Sequence, residues 1–259
     1  MQLKRSLLAA LAPLVFSPPL AGQDTFEIQV YEYETAPKGT LDLELHLNYI
    51  GQGTLASDGT VAPTDGQIHT TFELTWGITR DVEAAGYLCF ANRPGFGWEY
   101  AGWRVRARGA VPKEWNWPVG VGLSVEAGFM QRTYEENSVG LEIRPIVEKS
   151  IGRWTFTINP TVTRALKGPG TDEGWGFEPS ARIGFSAIRR LDVSLEYYGG
   201  LGPFGNFPAV REQVQQIYPG GDWEIAENLS LNFGVGVALT PAGNDLVAKI
   251  RLGYLFGGS

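Results

Sequence analysis

Leucine alternates with polar residues through Thr40-Leu41-Asp42-Leu43-Glu44-Leu45-His46-Leu47-Asn48-Tyr49, and the same two-residue rhythm returns about a dozen times along the chain. Alternation at this period puts one residue set on each face of a strand, and charges at every second position leave a polar face opposite an apolar one. Repeated strand after strand, that pattern predicts an all-β chain: a transmembrane antiparallel up-and-down β-barrel, greasy outside and wet inside.

The N-terminus says which solvent meets the greasy face. Met1 to Arg5 is basic, Ser6 to Phe16 is an apolar run too short to span a bilayer, and Ser17-Pro18-Pro19-Leu20-Ala21-Gly22 breaks helices and ends in small residues. Residues 1–22 are therefore expected to be a cleaved signal peptide, with an uncleaved anchor as the alternative. No cysteine lies near the cleavage region, which argues against a lipid-modified N-terminus. Beyond the leader no stretch approaches the ~18 continuous apolar residues of a membrane helix. Hydropathy alone would place this chain in water, but 34 Gly, 8 Trp, 10 Tyr and 13 Phe suit tightly turned strands with interfacial rings.

The period-2 segments predict twelve strands, at 40–50, 67–79, 82–90, 99–109, 119–130, 138–148, 154–164, 175–186, 191–199, 212–225, 229–239 and 246–256. Short links follow the second, sixth, eighth and tenth, and longer Gly-, Pro- and Asn-rich links mostly follow the others. Outer-membrane barrels have short periplasmic turns and longer external loops, so both termini are expected in the periplasm. Two links depart from the alternation: 110–118 is long and 240–245 is short. The domain reading is a leader at 1–22, an N-terminal periplasmic segment at 23–39 and a barrel at 40–259. Phe26-Glu27-Ile28-Gln29-Val30-Tyr31 within 23–39 has apolar residues that need cover, so a plug is favoured over an extra strand or a tether. A soluble sandwich would also bury one face. Against it stand the charges opposite that face and the aromatic residues near strand ends, such as Tyr49, Trp76, Trp103, Trp154, Trp175, Trp223 and Tyr254.

The stretch Gln216-Ile217-Tyr218-Pro219-Gly220-Gly221-Asp222-Trp223-Glu224-Ile225, with Asn228 to Val237 after it, resembles the closing hairpins of small bacterial outer-membrane barrels. These are grouped with the phenol meta-cleavage-pathway outer-membrane family, and Glu32-Tyr33-Glu34-Thr35-Ala36-Pro37 adds to the likeness. The resemblance implies a cell outer-membrane location and passage of hydrophobic or aromatic solutes. The last strand, ending Tyr254-Leu255-Phe256, is similar to the C-terminal strands by which barrel-assembly machinery recognises its clients. Lipid of the outer membrane, that machinery and a small solute of unknown identity are the expected partners.

Parity assigns the lumen side chains. Arg104, Arg106 and Arg108 form a ladder on the fourth strand, between Glu83 on the third and Glu126 on the fifth. Across the barrel closure, Lys249 and Arg251 neighbour Asp42 and Glu44, and His46 sits among Asp42, Glu44 and Asn48 on the same face. Two readings stay open: an ion-pair network that fills and rigidifies the barrel, or a charged constriction that acts as a selectivity element for small solutes. The alternative to transport is a structural or surface-binding barrel with a closed, salt-bridged lumen. A twelve-stranded barrel is expected to be narrow or plugged. A net acidic lumen favours cations or neutral solutes if open.

The net charge of -7, more acidic once Lys4 and Arg5 leave with the leader, offers no excess cation to exchange for counterions and excludes nucleic acid as a partner. No enzyme activity and no cofactor are expected. His46 and His69 are the only histidines, no nucleophile elbow is present, and no metal-ligand spacing is visible. Gly168-Pro169-Gly170 and Gly95-Phe96-Gly97 are loop punctuation, since no helix follows to complete a phosphate cradle. The lone Cys89 excludes an intramolecular disulfide and reads as a small lumen-side filler.

Overall fold

The computed structural model describes residues 24–257, so the expected leader lies outside the described residues. Twelve antiparallel strands close into one barrel: β1 (Leu41–Gln52), β2 (Ile68–Gly77), β3 (Val82–Arg93), β4 (Gly97–Ala110), β5 (Gly120–Met130) and β6 (Val139–Ile151). Next come β7, in two pieces at Trp154–Asn159 and Val162–Lys167, and β8, in two pieces at Trp175–Phe177 and Ser180–Ile188. The circuit ends with β9 (Leu191–Gly200), β10 (Val214–Ala226), β11 (Leu229–Ala238) and β12 (Leu246–Phe256). Closure is the pairing of β1 with β12, which sets Leu45 opposite Leu252 while Leu45 also faces Phe72 of β2. A closed circuit leaves no strand edge to pair with another chain.

The expected alternation holds around the wall. Leu41, Leu43, Leu47, Phe72, Leu74, Leu88, Val105, Leu123, Ile158, Leu195, Val235 and Ile250 all point outward and are exposed. An apolar belt that wraps the whole circumference is stable only against hydrocarbon, so the barrel spans a membrane. No helix of the described residues is long and apolar enough to cross one. Trp76, Trp154, Trp223 and Tyr254 sit on the belt at the end where the chain enters and leaves the barrel, and Tyr49, Trp98 and Trp175 toward the other.

Three local features lie beyond simple alternation. Ala101 is an extra residue in β4: Cys89 faces Gly102 while Phe90 faces Tyr100, and the bulge exchanges inward for outward from that point. Tyr100 and Trp103 can therefore both face out. Second, β7 and β8 break at the same height, at Pro160-Thr161 and Glu178-Pro179, because neither proline has an N–H for the ladder. Third, the link between β3 and β4 is a tight hairpin rather than the longer loop expected there. Gly95 and Gly97 adopt φ of +82° and +84°, which lets both strands run on to Arg93 and Gly97.

Residues 24–38 form no strand and run through the interior. Phe26 packs with Tyr87, Cys89, Ala101 and Met130, whereas Ile28 and Val30 pack with Ile50, Tyr198, Tyr218 and Val247. Cys89 is fully buried in the first of these clusters, with Thr71 donating to its sulfur at 3.6 Å. Burial of Phe26, Ile28, Val30 and Tyr31 contributes on the order of 10 kcal/mol gross, at ~1.5–3 kcal/mol per side chain.

Candidate functional site

Period-2 alternation aims every second side chain of β4 into the lumen, which delivers Arg104, Arg106 and Arg108 as a ladder, each at most 9% exposed. Cross-strand diagonals then pair them. Arg106 Nη2 lies 2.9 Å from both Glu73 Oε1 and Glu83 Oε1, and Arg108 Nη1 lies 3.6 Å from the same oxygen of Glu83. Arg104 reaches Glu126 Oε1 at 3.5 Å and Glu135 Oε1 at 3.2 Å, and pairs with Asp24 of the interior segment. Glu83 and Glu126 thus meet the ladder from the two flanking strands. Buried guanidiniums require such partners, since an unpaired buried charge is heavily penalised.

At the closure, Arg251 Nη1 sits 3.1 Å from Glu44 Oε1, and His46 Nε2 lies 3.5 Å from Glu44 Oε2 and 3.2 Å from Glu73 Oε2. Lys249 differs from expectation. It faces Asn48, not an acid, on β1, and its ammonium crosses the lumen to Glu196 of β9 and donates to the Ile28 carbonyl at 3.2 Å. Asp42 lines a cavity of about 440 Å³ at the chain-entry end, together with Glu44, Glu83, Arg106, Arg108, Lys249 and Arg251. Ten acidic and five basic side chains line that cavity, so its lining is acidic. His69, the second histidine, stacks on Phe26 at 4.1 Å between ring centroids and serves packing.

Sequence reading missed how the interior segment is gripped. Its backbone takes hydrogen bonds from the wall where a strand would take them from a neighbour. Asn159 accepts from Tyr31 N at 2.7 Å and donates to Tyr31 O at 3.0 Å, imitating a strand partner with a side-chain amide. Asn48 donates to Thr25 O, Arg144 to Gln29 O and Arg108 to Glu34 O, while Glu148 and Glu83 accept from the amides of Tyr33 and Ala36. Arg182 Nη1 lies 2.8 Å from Glu32 Oε1. Tyr31 is the centre of the grip. Its ring lies 4.2, 4.8 and 5.5 Å from the guanidinium carbons of Arg144, Arg106 and Arg108, a cation–π cage, and its hydroxyl donates to Glu27 at 2.5 Å. At the mouth, Tyr33 fits against Gly120, where a Cβ would come within 2.5 Å of the ring. There Glu34 pairs with Lys113 of the long β4–β5 link and holds that ammonium above its ordinary range.

Asn159→Ala removes both bonds to Tyr31 while leaving the wall intact. The expected result is faster protease cleavage within residues 24–38 of the folded, lipid-embedded barrel. Equal cleavage rates would show that burial alone holds the segment.

A closed barrel with an apolar outer belt, aromatic residues toward its rims and a charged, narrowed lumen is the architecture of outer-membrane β-barrels. The comparisons agree on that fold. The chain is similar to the COG4313 outer membrane channel from Pseudomonas putida F1, at a TM-score of 0.60 and 13% identity, over 89% of this chain and 100% of that one. It is also similar to the KdgM porin, at a TM-score of 0.52 and 9% identity, over 84% of this chain and 99% of that one. The same porin in complex with disordered oligogalacturonate matches at a TM-score of 0.51 and 8% identity, over 85% and 99% of the two chains. No protein-family model matches the sequence, and comparison with curated proteins gave no match.

Proposed function

We propose that this chain is an outer-membrane channel for passive passage of small solutes, with periplasmic termini, residues 24–38 as a lumen plug and the charged lumen as its selectivity element. The observation that carries this reading is the interior segment's grip by wall side chains rather than by strand pairing. A structural barrel would be filled most simply by side chains from its own wall. Here a piece of chain outside the strands occupies the space, leaving an open acidic cavity of about 440 Å³ beside it. The likeness of 216–237 to the phenol meta-cleavage barrels points toward apolar or aromatic solutes. So does the Tyr31 site, because an aromatic solute in place of that ring would meet the same three guanidiniums.

The acidic cavity favours cations and neutral solutes over anions. Asp42, Glu224 and Glu227 line its mouth. Asp42→Asn, Glu224→Gln and Glu227→Gln together are expected to move the reversal potential under a KCl gradient toward zero with little change in folding, checked by the heat-modifiable gel shift. A folded triple variant with unchanged selectivity would remove the mouth from the selectivity element.

A further inference from the structure

We propose that Glu44, His46 and Glu73 form a binding site for one divalent transition-metal cation, with zinc the best match, on the inner face of β1 and β2. Strand register assembles the three. Glu44 stands directly opposite Glu73, and His46 is two residues along β1 on the same inward face. Their donor atoms, one imidazole nitrogen and two carboxylate oxygens, all lie within 4.8 Å of one another.

The three donor atoms converge as the ligands of one cation would. His46 Nε2 is 3.2 Å from Glu73 Oε2 and 3.5 Å from Glu44 Oε2. A tetrahedral centre with bonds of ~2.0–2.2 Å to nitrogen and oxygen holds its ligand atoms about 3.3–3.6 Å apart. A charge-assisted N–H···O bond closes to about 2.7–2.9 Å, and the single proton on Nε2 can serve only one acceptor. Two carboxylate oxygens converge on one ring nitrogen, one at hydrogen-bond distance and the other left over by the single proton, and a cation among the three would serve all of them.

The surroundings supply what a metal site needs beyond its ligands. Glu73 spends its other oxygen, Oε1, on Arg106 and on the Thr75 hydroxyl, each at 2.9 Å, so Oε2 is held toward His46. Arg251 holds Glu44 from the next strand, its Nη1 3.1 Å from Oε1 and 3.4 Å from Oε2, so an ion at Oε2 would share that carboxylate with the guanidinium. Asp42 and Glu83 add two further carboxylates to this wall of the cavity, so Asp42, Glu44, Glu73 and Glu83 outnumber Arg106, Arg108 and Arg251. Zinc prefers borderline nitrogen and oxygen donors of this kind, and three protein ligands leave a fourth position for water. Glu44 and Glu73 both line the 440 Å³ cavity, which gives the ion and that water a way in. Linear spacing hides the site, because the third ligand arrives from the neighbouring strand.

The test is titration of the chelator-stripped, refolded full-length barrel with Co²⁺ and then Zn²⁺. The proposal predicts visible d–d absorption of tetrahedral strength that saturates at one Co²⁺ per barrel and is displaced by Zn²⁺. His46→Ala and Glu73→Gln should weaken binding beyond the ~10- to 100-fold that outer-shell changes cost, while His69→Gln should bind as the parent does. Zn²⁺ should also raise the denaturation midpoint of the parent barrel, a readout that holds if a variant fails to fold. Absence of a saturable band and of a midpoint shift in the parent overturns the proposal, and so does undiminished binding in a folded His46→Ala barrel. Binding does not require solute passage, so a silent barrel that binds one ion would sink the channel reading and leave this site standing.

Discussion

Removal of residues 24–38 is expected to raise solute flux through the reconstituted barrel several-fold. The segment buries Phe26, Ile28, Val30 and Tyr31 inside the lumen, and its backbone is tied to Asn48, Arg108, Arg144, Asn159 and Lys249. All of these ties come from side chains and none is a strand-pairing backbone bond, so the wall is expected to survive the loss. The side chains left behind include charged groups that turn to water once the space fills with solvent, and the apolar residues that covered Phe26, Ile28 and Val30, which become lumen lining. Liposome swelling with neutral sugars of graded size measures the effect. Faster swelling with a higher size cut-off is the expected result, and unchanged swelling by a folded deletion barrel would show that the wall side chains close the lumen by themselves.

The second large effect is on stability. Arg106 holds Glu73 and Glu83 at 2.9 Å, and all three are at most 5% exposed. Arg106→Ala takes the guanidinium that two buried carboxylates share, leaving them only Arg108 at 3.6 Å and His46 at 3.2 Å, and is expected to cost about 3–5 kcal/mol, the loss typical when one partner of a buried pair is removed. Arg106→Lys should cost less than alanine but not recover the parent, because an ammonium that meets the carboxylates in place of Nη2 does not reproduce the planar guanidinium held 4.8 and 5.7 Å from the Tyr31 and Tyr87 ring centroids. The contrast is Arg80, whose pair with Glu114 at 3.2 Å is largely solvated. Arg80→Ala should stay within about 1 kcal/mol. Urea unfolding of the barrels in lipid measures all three. Equal losses at Arg80 and Arg106 would contradict the view that the lumen network is a buried, interdependent structure.

The wall was legible in the sequence because membrane barrels obey the strictest of patterns. Leu41 to Tyr49 alternates without a break, and each period-2 segment corresponds to one barrel strand. The ladder at Arg104, Arg106 and Arg108 followed from parity alone, and so did its neighbours Glu83 and Glu126. Parity counts residues and cannot see an insertion, so the bulge at Ala101 was invisible. The β3–β4 hairpin was misjudged because Pro94-Gly95-Phe96-Gly97 reads as a loop, whereas two glycines at positive φ compress it into a turn. Lys249 was assigned to the first strand by adjacency, but its long side chain reaches across the lumen to Glu196. Contacts across an interior depend on barrel diameter and on what fills it, neither of which is written in local pattern. The grip on Tyr31 was hidden for the same reason, since Asn159, Arg106 and Arg144 come from three separate strands.

The central claim is that this barrel passes solutes through a narrowed, acidic lumen. Single-channel recording of the folded full-length protein in a planar bilayer tests it most directly, with folding confirmed by heat-modifiable mobility. Small discrete conductance steps, with a reversal potential on the cation side under a KCl gradient, are the predicted result. A folded and inserted barrel that stays silent at every voltage, with and without residues 24–38, would contradict the account and leave a closed structural or surface-binding barrel in its place.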